Sequence, residues 1–221
     1  EEIVGSELVG VLSFKTIYSW IHRGFLAVTE KVLRRKGKKP GTQEKRGRFN
    51  VKKTIKDRPQ EVENWETFGH WELDTMVSSR GQSKGGLATF VERKTRFYVA
   101  MKMDDRTKDS MFLAISSLYN TLTSKLLKTF TVDRGKEFAC FEQVETEFGI
   151  PMYFADAYAA WQRGSNENSN GLLREFFPKK TNLAKVTLDK LTEALVLINN
   201  RPRKCLGFKT PFDMFKHEIK K

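Results

Sequence analysis

The order of hydrophobic periodicities between residues 68 and 200 constrains the fold more than any other feature of the chain. Alternating apolar and polar residues, typical of β-strands, come first in three runs. Apolar residues at helical spacing then alternate with two short apolar runs, and two further helical stretches follow. Strands are predicted at 68–77, 85–95, 96–103, 128–135 and 151–156, and helices at 107–127, 138–149, 167–177 and 186–200.

The resulting order, βββ-α-β-α-β-α-α, describes a mixed sheet covered by helices, in which the first and fourth strands commonly lie side by side. This is the element order of the ribonuclease-H-like fold. We therefore predict an α/β chain with a mixed five-stranded sheet flanked by helices over residues 64–221. A small helical segment at 1–30 and a basic linker at 31–63 are predicted to precede this core.

Three acidic residues occur where this topology would bring them together. Asp74 lies inside the first predicted strand, where an unpaired buried carboxylate would be costly. Asp133 ends the fourth strand, and Glu167 lies in the first turn of a helix that Ser165 and Asn166 are predicted to cap. Taken singly, Asp133 is also typical of a turn and Glu167 of an ordinary helix N-terminus. Taken together, they are predicted to converge at one point of the sheet.

Three carboxylates and few other groups are what metal-dependent phosphodiester chemistry requires. Two hard cations about 3.5 to 4 Å apart can activate a water or a 3′-hydroxyl and stabilise the leaving oxygen. Mg²⁺ prefers oxygen ligands and keeps several waters, so it is the predicted metal, with Mn²⁺ as an alternative. The three histidines and two cysteines show neither zinc-finger spacing nor a disulfide framework.

The net charge of +13 is concentrated in one segment of the chain. Residues 31–58 contain 13 Lys and Arg and two acids, a local net charge of +11, with few apolar residues. Such a strip can follow a phosphate backbone, and we predict that it binds nucleic acid. A solvated tether is the alternative. The predicted DNA contacts in this segment are Arg34, Arg35, Lys38 and Lys39.

The segment before the linker is typical of a short amphipathic helix. Ser13 can cap it, Ile17 and Trp20 share its apolar face, and Lys15 and Thr16 lie on the outer face. This pattern fits a recognition helix, so residues 1–30 are predicted to be a helix-turn-helix remnant with Lys15 and Thr16 as DNA contacts. A helix without DNA contacts remains the alternative.

Other features of the sequence argue for a cytoplasmic protein. No apolar run approaches the length needed to cross a bilayer, so no membrane partner is predicted. The first ten residues are acidic where a signal peptide would be basic. Because the chain opens at Glu1 without a methionine and close to a helical motif, we expect that it lacks its natural N-terminal part.

Four stretches follow one another along residues 65–215: GHWELDT, TVDRGKEFA, YFADAYAAWQRGSNENSNGLLREFFPK and NNRPRKCLGFKTPFDMF. In sequence and order they resemble bacterial DDE transposases of the insertion-sequence-thirty family. The 33 residues between Asp133 and Glu167 are also similar to the spacing in that family. The chain departs from the family pattern at Phe141, Ala157 and Lys180, which leaves a degenerate copy as an alternative.

The resemblance implies a catalytic, metal-binding triad of Asp74, Asp133 and Glu167. It implies a transposase that binds the terminal repeats of an insertion sequence, cuts the transposon ends and joins the freed 3′-hydroxyl to target DNA. The implied partner is double-stranded DNA at both the ends and the target, bound by a homodimer or a higher oligomer in the nucleoid. Two rival functions stay open: a transposase-derived DNA-binding regulator without catalysis, and a ribonuclease-H-like nuclease that cuts without joining.

Several polar residues around the triad are predicted to support DNA binding. Each has a structural alternative, such as core packing for Trp161 or helix capping for the asparagines. Glu72, on the strand face of Asp74, is predicted either to bind or tune a metal or to pair with a nearby Lys or Arg. The predicted DNA contacts near the site are Trp161, Arg163, Asn166, Asn170, Arg174, Arg201 and Arg203.

Overall fold

A five-stranded mixed sheet forms the centre of the protein. The structure, a computed structural model, describes residues 2–28, 33, 51–78, 81, 83–156 and 159–221. The strands lie in the order β3-β2-β1-β4-β5; β1 pairs antiparallel with β2 and parallel with β4, β2 pairs antiparallel with β3, and β4 pairs parallel with β5. The predicted sheet and the adjacency of the first and fourth strands are confirmed. The strands are β1 (His70–Val77), β2 (Gly86–Glu92), β3 (Tyr98–Met103), β4 (Thr129–Val132) and β5 (Met152–Phe154).

Local sequence signals mark several helix ends, although the helix predicted at 107–127 ends at Thr121 and the helix at Pro211–Ile219 was not predicted. Thr107, Thr187 and Thr210 cap three of them by accepting a hydrogen bond from a main-chain N–H of the first turn. Gly149, with φ of 67°, ends another in the left-handed conformation. The helices are α1 (Glu2–Ser6), α2 (Phe14–His22), α3 (Gln60–Glu63), α4 (Lys108–Thr121), α5 (Phe141–Phe148), α6 (Gly164–Phe176), α7 (Leu188–Asn199) and α8 (Pro211–Ile219).

The start of α6 differs from the prediction. The helix begins at Gly164, and its N-cap residue is Arg163, which makes no side-chain cap. The predicted caps at Ser165 and Asn166 are therefore wrong, because both residues lie inside the first turn and are buried. Their polar side chains are satisfied by residues of the sheet instead of by the helix itself.

Hydrophobic cores on both faces of the sheet hold the helices in place. On one face, Trp71 and Leu73 of β1 pack in a cluster with residues of α4 and α5. On the other face, Met76 packs in a cluster with residues of α6 and α7. Since side chains alternate along a strand, Glu72 and Asp74 project toward the α6 side. All residues of β2 are buried, as expected for a strand covered on both faces.

The described part of the predicted linker packs against the edge of the sheet. The carbonyl of Lys53 accepts a hydrogen bond from the main-chain N–H of Phe154, at 3.1 Å. The Arg58 guanidinium donates to the Thr131 hydroxyl, at 3.2 Å, and Val62 is buried. Residues 51–63 thus contact the core. The predicted DNA contacts Arg34, Arg35, Lys38 and Lys39 lie outside the described residues.

The N-terminal helices contact the C-terminal part of the chain. Glu2 forms an ion pair with Arg201, and the ring of Phe208 leaves no room for a side chain at Gly5. Ser13 caps α2 as predicted, by accepting from the Lys15 N–H at 3.3 Å. Helix α2 has no fully buried residue. Among the described residues, no helix has both the length and the apolar composition needed to cross a bilayer.

Candidate active site

The topology brings two of the three predicted carboxylates to one guanidinium. Asp74 lies in β1, and Asp133 follows the carboxyl end of the parallel neighbour β4. Arg163 spans them, with Nη1 at 3.5 Å from Asp74 Oδ1 and Nη2 at 3.3 Å from Asp133 Oδ2. The side chains of Arg163 and Asp133 are 12% and 13% exposed, so solvent screens this contact only partly. The two acids therefore converge as the sequence predicts.

Further hydrogen bonds fix the orientation of both carboxylates. Asp74 Oδ1 accepts from the main-chain N–H of Thr75 at 2.8 Å, and Oδ2 accepts from the Asn170 amide at 3.0 Å. Asp133 Oδ1 accepts from the N–H of Gly135 at 2.8 Å. Each acid thus keeps a defined direction in addition to its contact with Arg163.

Tyr98 orients the amide that bonds Asp74. Its hydroxyl donates to Asn170 Oδ1 at 2.7 Å, which turns the Asn170 Nδ2 group toward Asp74. Burial raises the pKa of Tyr98 well above its usual value, so the phenol keeps the proton that it donates. Asn170, predicted as a DNA contact, is thereby part of the support of Asp74.

Glu167 lies on the rim of this site. It belongs to the first turn of α6, one helical turn before Asn170, and it is exposed. Within the part of the chain that the structure describes, no hydrogen bond or ion pair of its carboxylate occurs, and no three acidic, histidine or cysteine residues form a group that could hold a metal ion. The structure thus brings Asp74 and Asp133 together, whereas Glu167 is related to them only through its helix, one turn before the residue that bonds Asp74.

Glu72 shares the strand face of Asp74, but its carboxylate has other partners. Its carboxylate is fully buried and forms an ion pair with Arg93. It also accepts a hydrogen bond from the main-chain N–H of Asn166, at 3.0 Å. Of the two predicted roles for Glu72, pairing with a nearby cation is the one that the structure contains.

Several predicted DNA contacts are engaged within the protein. Asn166 is fully buried and donates to the Glu72 carbonyl, and Arg203 is buried and donates to the Ile198 carbonyl. Arg174 donates to the Val77 carbonyl at 2.9 Å, which ties α6 to the end of β1. The side chains of these three residues thus support the fold. For Arg203 this is the structural alternative to DNA binding, because it donates to a carbonyl at the end of α7.

Other predicted contacts remain on the surface. Trp161, in the turn before α6, is 75% exposed and Lys15 is exposed. Arg201 is exposed, but it pairs with Glu2 and lies 3.5 Å from the Glu175 carboxylate. Trp161, two residues before Arg163, therefore offers an exposed aromatic face of the kind on which nucleic-acid bases stack.

Glu137 is a supporting residue that the sequence analysis missed. It is buried, and it accepts from the Thr75 hydroxyl at 2.9 Å and from Arg106 at 2.7 Å. A side chain at Gly135 would come within 2.6 Å of the Glu137 carboxylate, so the carboxylate would have to move to admit one. Glu137 thus packs against the turn that carries Asp133. A glutamate four residues after a candidate ligand was the available signal.

Comparisons with known proteins identify relatives of this chain. It is 37% identical over 187 residues to the transposase InsI of element IS30C from Escherichia coli, which covers 84% of this chain and 48% of that protein. It is 36% identical over 234 residues to the transposase of element IS4351 from Bacteroides fragilis, covering 99% and 69%. The chain thus spans about half the length of the E. coli relative. No family model matches.

The fold has a counterpart among solved structures. The catalytic core domain of BIV integrase superposes with a TM-score of 0.54 at 19% identity, over 69% of this chain and 97% of that domain. At this identity the similarity concerns the fold alone. It places the sheet and its helices, described above, in the integrase-core, ribonuclease-H-like class.

Proposed function

We propose that this chain, which belongs to the IS30 family of transposases, cuts the ends of an insertion sequence and joins the freed 3′-hydroxyl to target DNA. The proposal rests on the position of Asp74 and Asp133, which lie on adjacent strands and contact the same guanidinium. Glu167 lies one helical turn before Asn170, whose amide donates a hydrogen bond to Asp74. The relatives named above and the integrase-like fold support it.

The donor set fits divalent metal ions. The carboxylates of Asp74 and Asp133 both contact Arg163, so their oxygens lie close together. Glu167 has an exposed carboxylate one helical turn before Asn170, which bonds Asp74. Oxygen ligands with open positions suit Mg²⁺, with Mn²⁺ as a substitute. When bound, two such ions would activate the attacking water or 3′-hydroxyl and stabilise the leaving oxygen. The role of the protein would be to hold the three carboxylates at the positions that bind the two ions.

Arg163 competes with a metal for the same oxygens. Its guanidinium contacts one oxygen of each aspartate and also donates to the Leu73 carbonyl at 3.2 Å. Its Nε is buried without a hydrogen-bond partner among the described residues. A metal held by both aspartates requires this side chain to turn away. Its charge would then be free to contact a DNA phosphate.

Arg163→Gln should therefore tighten the binding of Mn²⁺. Glutamine removes the charge that competes for the two carboxylates, and we expect the dissociation constant to fall about tenfold, the change that corresponds to about 1.4 kcal/mol. Isothermal titration calorimetry with Mn²⁺ alone, in the absence of DNA, measures this. Arg134→Gln is the matched control, because Arg134 adjoins Asp133 but donates to the Ala155 carbonyl. Equal effects of the two variants would refute the competition.

The proposed partner is double-stranded DNA, held by a homodimer or a higher oligomer. The basic residues of the segment 31–50 would contact the phosphate backbone, and Trp161 would stack on a base at the cleaved end. These contacts would hold a defined end in place for joining.

Neutralising Arg34, Arg35, Lys38 and Lys39 together should weaken binding to any duplex and flatten its salt dependence. Each lost phosphate contact is expected to lower the slope of log affinity against log salt by about 0.9. Fluorescence anisotropy with an end duplex and an unrelated duplex, at several salt concentrations, measures both slopes. An unchanged slope would mean that this segment is a solvated tether.

One assay separates the proposed function from its two rivals. The protein is incubated with Mg²⁺, a labelled transposon-end duplex and a target plasmid. We expect nicked ends together with products joined to the target. Nicks without joined products would indicate a nuclease, and binding without nicks would indicate a regulator.

A further inference from the structure

The first turn of α6 is tied to a buried carboxylate of the central strand. Glu72 is 0% exposed, and Arg93 pairs with it. Glu72 Oε1 also accepts from the Ser165 hydroxyl at 3.2 Å, and Oε2 accepts from the Asn166 N–H at 3.0 Å. The main-chain oxygen of Glu72 accepts from the Asn166 amide at 2.9 Å. Three hydrogen bonds thus join two consecutive helix residues to one strand residue.

This arrangement replaces a local helix cap. The first N–H groups of a helix have no partner within the helix, and a side chain at the N-cap usually accepts from one of them. Arg163 makes no such bond at the N-cap of α6. Glu72 takes over that role from another element, with the negative charge that a helix N-terminus favours. The position of α6 is therefore set by β1.

Strand β2 and the turn after it complete this attachment. The Thr89 hydroxyl of β2 lies 3.2 Å from the Asn166 side-chain oxygen, and Arg96, in the turn after β2, donates to the Ser165 hydroxyl at 2.7 Å. Both Ser165 and Asn166 are buried. The first turn of α6 thus has polar contacts to β1, β2 and the following turn, while Glu167 remains exposed.

We propose that Glu72 is a positioning residue for Glu167, and that it couples the two ends of the catalytic triad. Glu72 stands two residues before Asp74 on the same strand face, and it binds the N–H of Asn166, the residue directly before Glu167. One buried side chain therefore sets the distance between the Asp74 strand and the Glu167 helix. The role in catalysis rests on the proposed function, but the attachment of the helix does not.

Glu72→Gln tests the proposal because it keeps the shape of the side chain and removes the charge. We expect kcat for joining of a pre-cut end to fall about a hundredfold, the loss that a misplacement of about 1 Å brings, with little change in KM. Hydrogen exchange of the DNA-free, metal-free protein should show faster exchange of the amides in peptides covering residues 164–170. This second readout needs no activity.

Glu92→Gln is the matched control. Glu92 is also a fully buried strand glutamate, but it accepts from Gly69 and Thr95 and contacts no residue of α6 in its hydrogen bonds. At a temperature below the melting temperatures of both variants, Glu92→Gln should have the kcat of the parent protein and the same amide exchange rates at residues 164–170. Equal losses in the two variants would overturn the proposal, because the effect would then be general destabilisation.

Ser165→Ala keeps the test decisive if Glu72→Gln does not fold. It leaves the Glu72–Arg93 pair and the main-chain bond from Asn166 intact, and it removes the hydroxyl that donates to Glu72 Oε1 and accepts from Arg96. We expect a kcat about tenfold lower with unchanged duplex affinity, and faster exchange at 164–170. Normal kcat and normal exchange would overturn the proposal.

Discussion

Asp133→Asn is expected to remove cleavage and joining together, by about 10³-fold or more, because it deletes an anionic ligand for the metal. The amide oxygen can still accept from the Gly135 N–H, so the turn after β4 should persist. The ion pair with Arg163 is lost, but Arg163 keeps Asp74 and the Leu73 carbonyl. Rates on a labelled end duplex and the melting temperature measure the two effects.

A carboxylate outside the site provides the control for Asp133. Asp105 follows β3 and accepts from Thr107 and Ser110 in the turn before α4. Asp105→Asn should leave both reactions at their normal rates. If Asp133→Asn nicks DNA as fast as the parent protein, Asp133 is not a metal ligand and the proposed triad fails.

Glu167→Gln is expected to cause a similar loss of chemistry without any loss of stability. Its carboxylate is exposed and makes no hydrogen bond or ion pair in the part of the chain that the structure describes, so the unfolding free energy should change by less than about 0.5 kcal/mol. Thermal unfolding and single-turnover cleavage of one protein preparation measure both quantities.

The neighbouring carboxylate Glu175 supplies the comparison for Glu167. Glu175 is also exposed on α6, two turns further along, and its charge lies 3.5 Å from Arg201. Glu175→Gln should cleave and join normally. Normal activity of Glu167→Gln would show that the third ligand lies elsewhere, whereas a large drop in its melting temperature would show that Glu167 has contacts in solution that support the fold.

The sequence was sufficient to predict the sheet and the meeting of Asp74 and Asp133. Alternation along β1 places Asp74 on a defined face, and parallel pairing brings the end of β4 beside that strand. Both facts depend on periodicity and element order, which a single sequence contains. The same order predicts that the helix carrying Glu167 packs on this sheet, and α6 does contact β1 and β2.

The side-chain partners around the site could not be predicted in this way. Ser165 and Asn166 have the local preference of helix caps, but a glutamate more than ninety residues earlier in the chain binds them inside the helix. Arg174 lies two turns after Glu167 on the polar face of α6, yet its side chain donates to the Val77 carbonyl of β1. Such contacts depend on how two distant elements pack, which local propensity does not encode.

The most direct test of the two-metal account is the location of Mn²⁺ in crystals of the protein bound to a pre-cut end duplex. Anomalous diffraction should show two peaks about 3.5 to 4 Å apart, bound by the carboxylates of Asp74, Asp133 and Glu167. Arg163 should have left the two aspartates. Anomalous peaks that avoid Asp74 and Asp133, or an Arg163 that still spans them in a complex active in the crystal, would contradict the account.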